Sequence, residues 1–359
     1  MERLAGLPTA FGRLAATLAC GAAGGLLWHW LGLPLPFIVG AMAGGIVAGM
    51  LPIEAAVPGW LRSVMAVTIG IMVGSSFTPE FLAGASDWGL TLAAIALYTF
   101  AAVMVGYAIL RYLGGYDPIM AYCMAAPGGF IEMALLGASL GADPRRIVLV
   151  HSVRLLVVVF AVPLVMPEGG ANAASILAVP NQPGPVDWLV FIGCGLGAVV
   201  ASKLRLPGAI LAGPLLLSAT AHLTGLTEAQ FPAILLIIAQ IVVGSSIGCT
   251  FVSLHPRTLL RLTLFGGALV IALLALSALF AAGTSWLIDR PLSTTFLLFA
   301  PGGMPEMSLI ALTLGIEPAM IATHHLFRLI LVVTVGPTLL KAILHFAGRA
   351  GARPTPQED

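Results

Sequence analysis

The sequence predicts an all-α integral membrane protein built from two homologous, inverted repeats. Three observations support this fold class. Of the 359 residues, 59% are hydrophobic and 9% are charged, whereas soluble domains carry charge on about a quarter of their residues. Apolar stretches of about 20 residues, each long enough to cross a bilayer as a helix, recur along the chain. One motif also occurs in both halves. We therefore expect the lipid bilayer to be the main partner of the chain.

The charge balance and the cysteines exclude several functions. A net charge of +1 leaves no basic surface to neutralise phosphates, so we expect no nucleic acid partner. The four cysteines lie in apolar stretches, without the close pairs or Cys/His spacings of a disulfide framework or zinc site. We interpret Cys20, Cys123, Cys194 and Cys249 as small core residues. No metal ion and no cofactor is expected.

The repeated motif is Ala126–Met133, which reads APGGFIEM, matched by Ala300–Met307, which reads APGGMPEM. Such a string is seldom duplicated by chance, and the match continues at constant spacing. Gly141, Pro144, His151, Arg154 and Pro163 correspond to Gly315, Pro318, His325, Arg328 and Pro337. Upstream, Val73–Ser76 corresponds to Val243–Ser246, and Leu33, Pro34 and Gly40 correspond to Leu206, Pro207 and Gly213.

The duplication defines the domain organisation. We predict membrane repeat 1 at residues 1–166, a connector at 167–186, membrane repeat 2 at 187–346 and a polar cytoplasmic tail at 347–359. Each repeat contains six apolar segments. They span 11–31, 35–51, 61–77, 88–112, 118–139 and 145–166 in the first repeat, and 187–204, 207–223, 231–250, 262–288, 292–314 and 318–345 in the second. Residues 11–31 resemble a signal peptide, but we expect them to be retained, because their counterpart is internal.

The positive charges favour opposite orientations for the two repeats. If the fifth segment of each repeat enters and leaves the membrane on one side, as a broken or re-entrant hairpin, each repeat crosses five times. With the N-terminus inside, every positive cluster then lies in the cytoplasm and only Arg290 is misplaced. Inverted repeats with interrupted helices are common in secondary transporters. The alternative is twelve crossings with ordinary Gly/Pro kinks.

The Ala-Pro-Gly-Gly sequence predicts a break inside the fifth segment. Proline removes a backbone donor and glycine allows unusual conformations. Unpaired backbone survives at membrane depth only against protein or a water-filled cavity. The residues that follow should form the first turn of a new half-helix, whose N–H groups and positive dipole end attract anionic groups.

Ionisable residues follow each break: a glutamate in the first turn, then a His-x-x-Arg on one face of the next helix. An ionisable residue within a span costs about 2.5–3.5 kcal/mol on insertion scales, so it usually pairs or functions. We predict a central site in which the arginines hold a polar or anionic solute, while the glutamates or histidines exchange protons. The alternative is a structural Glu–Arg clamp in each repeat.

The candidate substrate-binding residues are the break, the glutamate and the His-x-x-Arg of both repeats, with two serine pairs. They are Pro127, Gly128, Gly129, Glu132, His151, Arg154, Pro301, Gly302, Gly303, Glu306, His325, Arg328, Ser75, Ser76, Ser245 and Ser246. For the serines, close helix packing is the alternative explanation.

The duplicated Ala-Pro-Gly-Gly-x-x-Glu-Met, the Gly-x-[Asp/Glu]-Pro that follows and the His-x-x-Arg resemble the AbrB-duplication family of bacterial inner-membrane proteins. The resemblance spans nearly the whole chain. That family is often labelled an ammonia monooxygenase and is sometimes described as a regulator of gene expression. Neither label follows from these residues, since an oxygenase needs a converging set of histidines and carboxylates.

Three function classes remain from the sequence. We favour a gradient-driven transporter in the inner membrane, with both termini cytoplasmic and a proton or sodium ion as candidate coupling ion. The alternative is a membrane sensor that affects gene expression without net transport, and an enzyme is disfavoured. No Gly-x-x-x-x-Gly-Lys-[Ser/Thr] loop occurs, so transport would not draw on bound nucleotide. A homodimer stays an open alternative.

Overall fold

The fold is helical throughout the part of the chain that the computed structural model describes, which is residues 10–51, 55–84, 88–165, 183–250 and 256–351. Most of the predicted connector and tail lies outside these residues. The helices are α1 Ala10–Trp30, α2 Pro36–Met50, α3 Gly59–Gly74, α4 Pro79–Ala83, α5 Trp88–Ala108, α6 Pro118–Ala125, α7 Phe130–Ser139, α8 Pro144–Val165, α9 Pro185–Lys203, α10 Ala209–Leu223, α11 Ala233–Cys249, α12 Pro256–Ile288, α13 Leu292–Phe299, α14 Met304–Leu314 and α15 Pro318–Gly351.

The helices match the predicted apolar segments closely. Each segment contains one helix or, for the fifth segment of each repeat, two short helices. Two differences occur: the short helix α4 was not predicted, and α15 continues into the predicted tail, where no proline follows Pro337 before Gly351. Within the described residues, five helical stretches are long and apolar enough to cross a membrane. These are Ala10–Trp30, Trp88–Leu113, Pro185–Lys203, Leu264–Ile288 and Pro318–His345.

The predicted helix breaks are present in both repeats. Helix α6 ends at Ala125 and α7 begins at Phe130, while α13 ends at Phe299 and α14 begins at Met304. The chain between the half-helices is extended, with Ala126 at φ −57° and ψ 124° and Ala300 at φ −51° and ψ 132°. Proline after each alanine favours this extended conformation. Each break therefore exposes backbone groups that a continuous helix would pair internally.

Helix pairs with matching sequence positions pack in matching ways. Helix α1 packs on α2, and α9 packs on α10. The first pair meets at Gly24 and Gly40, and the second at Gly197 and Gly213. At each of these glycines a Cβ atom would collide with the backbone of the opposite helix. The close approach therefore requires a residue without a side chain at these positions.

Two further interfaces join the halves of the chain: α2 packs on α11, and α10 packs on α3. Gly70 of α3 lies against the backbone of Leu211, and Gly244 of α11 lies against the backbone of Ile38. These contacts pair Gly70 with Gly244, whereas the sequence comparison paired Gly74 with Gly244. The match between the two Val-Gly-Ser-Ser strings therefore misaligns the repeats by one helical turn at this point. Gly70, not Gly74, holds the contact position that Gly244 holds in the second repeat.

Helices α5 and α12 pack on each other and on the half-helices. Tyr98 of α5 is fully buried, and its hydroxyl lies 3.0 Å from Oγ of Ser277 on α12. Ser277 also donates a hydrogen bond of 2.9 Å to the carbonyl of Phe299, at the end of α13. The carbonyl of Phe299, at the second break, is therefore held by Ser277 of α12, which Tyr98 of α5 contacts.

Candidate functional site

A cavity of about 630 Å³ lies where the two breaks come together. Both copies of the repeated motif line it, together with parts of α3, α10 and α11. Its polar and motif residues are Arg62, Ser63, Pro127, Gly128, Gly129, Glu132, His151, Arg154, Ser202, Arg205, Ser246, Gly302, Gly303, Glu306, His325 and Arg328. The structure thus brings twelve of the sixteen candidate residues into one space.

The His-x-x-Arg of each repeat binds the carbonyl groups that its break exposes. In the first repeat, Nε2 of His151 lies 2.9 Å from the carbonyl of Cys123, and Nη1 of Arg154 donates to the carbonyl of Ala126 at 3.2 Å. The last carbonyls of a helix have no partner within the helix. Here the two side chains supply donors to the end of α6.

The second repeat repeats this arrangement on α13. Nε2 of His325 lies 3.0 Å from the carbonyl of Leu297, and Nη1 of Arg328 donates to the carbonyl of Ala300 at 2.8 Å. Since a carbonyl only accepts hydrogen bonds, these contacts place the histidine proton on Nε2. Nδ1 of His325 is then an acceptor, and Nη2 of Arg328 donates to it at 2.8 Å.

The two copies differ in how completely their polar atoms are bonded. Arg328 also donates from Nη2 to the carbonyl of Gly302 at 2.6 Å. In the first copy Nδ1 of His151 and Nε of Arg154 have no hydrogen-bond partner among the described residues, and Nε of Arg328 has none either. All three side chains are at least 98% buried. The second break is therefore held more tightly than the first.

The glutamates occupy the half-helix N-termini. Glu132 lies in the first turn of α7 and Glu306 in the first turn of α14. Each carboxylate folds back over the glycine that precedes the helix, so that a Cβ atom on Gly129 or Gly303 would collide with it. A negative charge at this position is stabilised by the helix dipole. The sites that we predicted for an anionic group of a solute therefore already hold the chain's own carboxylates.

The arginines clamp the backbone rather than the glutamates that we considered as their partners. We considered an ion pair between the glutamate and the arginine of each repeat. The hydrogen bonds of Arg154 and Arg328 go instead to backbone carbonyls and to His325. The carbonyl groups of a broken helix are numerous and fixed, whereas each glutamate is directed toward its own helix N-terminus.

Sequence reasoning missed Arg62 and Arg205, which also line the cavity. Arg62 acts electrostatically on Glu306, as does Arg154. In the sequence both appeared only as loop charges, since neither belongs to the repeated motif; the position that corresponds to Arg62 in the second repeat is Leu236. With these two residues, four arginines and two glutamates line the cavity.

Four candidate residues do not line the cavity: Pro301, Ser75, Ser76 and Ser245. Ser75 donates to the carbonyl of Met72 at the end of α3. Ser245 is fully buried against Gly21 of α1. Close helix packing accounts for Ser245, and Ser246 is the only member of the two serine pairs that lines the cavity.

The cavity is open at one end. It extends to Gly59 and Ser63 at the start of α3, and to the exposed Arg205 and Leu206 between α9 and α10. At the corresponding end of the other repeat, Leu33 is exposed like its counterpart Leu206, but Leu35 and Leu236 are only 3% and 5% exposed and do not line the cavity. There the fully buried Gln240 donates a hydrogen bond of 3.1 Å to Thr313.

His151, His324 and His325 each lie within hydrogen-bond distance of the chain through at least one ring nitrogen. The described residues contain no group of three or more His, Cys, Asp or Glu side chains that could hold a metal ion. His324, which the sequence places beside His325, does not line the cavity. Its Nε2 lies 2.7 Å from the hydroxyl of Thr91, and its Nδ1 lies 2.8 Å from the carbonyl of Met320.

Comparison with known proteins identifies the family. The model of the family described as "Transition state regulatory protein AbrB" matches residues 37–344, which is most of the chain and includes both breaks. The chain belongs to the AbrB family. A relative named "Putative regulator AbrB" from Escherichia coli (strain K12) is 27% identical over 334 residues, covering 89% of this chain and 93% of the relative. "Uncharacterized protein YhjN" from Bacillus subtilis (strain 168) is 24% identical over 369 residues, covering 92% and 93%. The family match confirms the resemblance drawn from the repeated motif.

Proposed function

We propose that this AbrB family member is a secondary transporter that carries a small polar or anionic solute across the bacterial inner membrane. The observation that carries the proposal is a single buried cavity lined by both broken helices and open at one end. The exposed Arg205 and Leu206 mark the end at which a solute would enter. Broken helices that meet at such a cavity are the arrangement in which many secondary transporters bind their solutes.

The packing supports two repeats of opposite orientation. Helices α2 and α3 of the first half exchange contacts with α11 and α10 of the second half, through Gly244 against Ile38 and Gly70 against Leu211. Two copies related by a pseudo-two-fold axis would make such reciprocal contacts.

Arg290 is the one positive charge that the five-crossing plan places outside the cytoplasm. Its Nη1 donates to Glu317 at 2.7 Å. That pairing offsets the misplaced charge.

The difference between the repeats supports alternating access. The ends of α3 and α9 leave the cavity open on the side that the charge pattern assigns to the cytoplasm. The equivalent residues Leu236 and Gln240 are buried and do not line the cavity. If the repeats exchange these packing states, the open end closes and the closed end opens, and the solute crosses without an open pore.

The test of transport uses purified protein in liposomes. We expect current or tracer flux with at least one member of a panel of organic acids, amines and amino acids, measured on a solid-supported membrane. Liposomes without protein are the first control. Protein carrying Glu132→Gln is the second, and it should stay folded with altered flux or altered pH response. Loss of that variant from the membrane would favour a purely structural glutamate.

A regulatory role is the second candidate, because the family description and the Escherichia coli relative both carry the word regulator or regulatory. A cavity that binds a solute could change shape and signal to a partner protein without net transport. The flux measurement separates the two. Solute binding to the purified chain without any flux in liposomes would favour the sensor and would contradict the transporter.

A further inference from the structure

We propose that the solute is a small oxyanion, bound in the central cavity by Arg154 and Arg328. This inference rests on the proposed function, since it names the chemical class of the ligand at the same cavity. It assigns a carboxylate or an inorganic oxyanion rather than a cation or a neutral polar molecule.

The first step is that each of the two arginines has one N–H donor that is not used in binding the backbone carbonyls of its break. Nη1 of Arg154 and both Nη atoms of Arg328 bind backbone carbonyls, but Nε of Arg154 and Nε of Arg328 have no partner among the described residues. Both side chains are 98% buried and both line the cavity. An unpaired buried donor on a charged group is costly, so such a donor indicates an absent acceptor.

The second step is the repulsion between the two guanidinium groups. Arg154 and Arg328 come from different repeats, yet both line the cavity, and Arg328 acts electrostatically on Arg154. Two like charges buried beside one cavity destabilise each other unless a negative charge lies between them. Glu306 supplies part of that charge, since it acts on Arg154.

The third step is that the glutamates do not complete the compensation. Glu132 and Glu306 are folded back over Gly129 and Gly303, at the N-termini of their own half-helices. Arg154 and Arg328 therefore face one cavity from different repeats, while each glutamate is engaged at its own half-helix. A small anion placed between the two guanidinium groups would balance their charge.

The ligand class follows from the donors. Guanidinium groups bind carboxylates and other planar or tetrahedral oxyanions through directed N–H donors. Arg154, with one hydrogen bond from its guanidinium where Arg328 makes three, has the freer donor edge in this open arrangement. We assign Arg154 as the first contact of the anion on the open side.

The first experiment measures the charge of the cavity without knowing the ligand. Single cysteines are introduced by Ser246→Cys in the cavity and by Ser139→Cys on the exposed end of α7, in protein whose Cys20, Cys123, Cys194 and Cys249 are replaced by alanine. Purified protein in detergent is treated with methanethiosulfonate reagents that carry a sulfonate or a trimethylammonium group. We expect the sulfonate reagent to be favoured at position 246 by about tenfold over its preference at position 139.

Variants that remove one charge from the cavity test whether positive charge causes the preference for the sulfonate reagent. Arg62→Gln and Arg205→Gln should each reduce the sulfonate preference severalfold, and Glu132→Gln should increase it. None of these three side chains binds the backbone carbonyls of the breaks, so the variants should remain folded. Equal rates for the two reagents, or a preference for the trimethylammonium reagent, would overturn the inference.

The second experiment identifies the source of the oxyanion. Thermal unfolding of the purified full chain is followed with succinate and citrate as carboxylates, phosphate and sulfate as inorganic oxyanions, and putrescine and glucose as cationic and neutral controls. We expect one oxyanion arm to raise the melting temperature with increasing concentration. Arg154→Lys should require at least about tenfold more of that anion, while Arg146→Lys, an exposed control, should not.

The outcomes separate this inference from the proposed function. Stabilisation by putrescine or glucose without any effect of the oxyanions would overturn the anion assignment and leave transport intact. Oxyanion stabilisation that persists unchanged in Arg154→Lys would overturn the role of Arg154. Oxyanion binding without flux in liposomes would support the anion site and contradict the transporter.

Discussion

At the residue scale, each break is held by side chains that replace the hydrogen bonds of a continuous helix. His151 and Arg154 bind the end of α6, and His325 and Arg328 bind the end of α13. A buried backbone carbonyl without a donor costs about 1–3 kcal/mol. The two His-x-x-Arg pairs therefore supply hydrogen-bond donors to the buried, non-helical backbone of both breaks.

Arg328 should contribute more to stability than Arg154. Arg328 makes three hydrogen bonds from its guanidinium and Arg154 makes one. We expect Arg328→Lys to lower the free energy of unfolding by about 2–4 kcal/mol and Arg154→Lys by about 1 kcal/mol. Chemical unfolding in mixed micelles measures both. Arg146→Lys, whose side chain is 53% exposed, is the control and should change little; equal losses for Arg154 and Arg328 would contradict the asymmetry.

The role of these residues was only half predictable from the sequence. The duplicated Glu, His and Arg identified the site, because ionisable residues repeated in two spans need a common cause. Their partners could not be predicted, since the choice between Glu132 and a carbonyl for Arg154 depends on where the chain places each break in space. Arg62 carried no signal of its own, because a single loop arginine is common in any membrane protein.

At the element scale, close packing between helices is set by glycines that occupy matching positions. Gly70 lies against the backbone carbonyl of Leu211, and Gly244 lies against that of Ile38. A methyl group there would meet backbone, which cannot rotate away as a side chain can. The glycines are visible in the sequence, but which glycine of one repeat corresponds to which of the other depends on helix register. The match of the two Val-Gly-Ser-Ser strings predicted that register wrongly by one turn.

Alanine at either contact should separate the helices. We expect Gly70→Ala and Gly244→Ala each to lower the free energy of unfolding by about 1–3 kcal/mol. A Cβ atom on Gly267 of α12 would meet none of the described residues within 4 Å beyond its own helix backbone, so Gly267→Ala should be neutral or stabilise by up to about 1 kcal/mol. Unfolding in mixed micelles gives all three values. A loss at Gly267 as large as at Gly70 would show that the close contacts are unimportant.

At the scale of the whole molecule, the positions of Arg145 and Glu317 distinguish the five-crossing plan from twelve crossings. Both lie at the start of the sixth segment of their repeat. Single cysteines beside them should react with an impermeant thiol reagent from opposite sides of the membrane if the repeats are inverted. Labelling in intact cells and in inverted vesicles measures this. Reaction from the same side would favour parallel repeats.

The cavity should also change its accessible face during transport. Ala66 lines the open end, and the corresponding Gln240 is fully buried at the closed end. In a protein without native cysteines, we expect Ala66→Cys to react from the cytoplasmic side. Gln240→Cys should react from the opposite side only when a transported solute shifts the population, and then Ala66→Cys should react more slowly. Simultaneous reaction of both positions from one side would contradict alternating access.

The sequence predicted the helices and the breaks better than it predicted which end of the cavity is open. Helix positions followed from apolar length, and the breaks at Pro127 and Pro301 followed from proline and glycine chemistry. The one-sided opening did not, because the two repeats carry the same motif and nothing in the motif says which copy is packed more tightly. That difference arises between helices, at positions such as Arg62 and Leu236 that the duplication no longer shares.

The carbonyl bonds of the His-x-x-Arg pairs have an evolutionary consequence. If substitutions at Pro127, Gly128 and Gly129 restored a continuous helix, the carbonyls of Cys123 and Ala126 would bond within the chain. His151 and Arg154 would then be stranded in a hydrocarbon environment without acceptors. The break and its two donors should therefore coevolve, so that a descendant that loses one of them in either half loses the other as well.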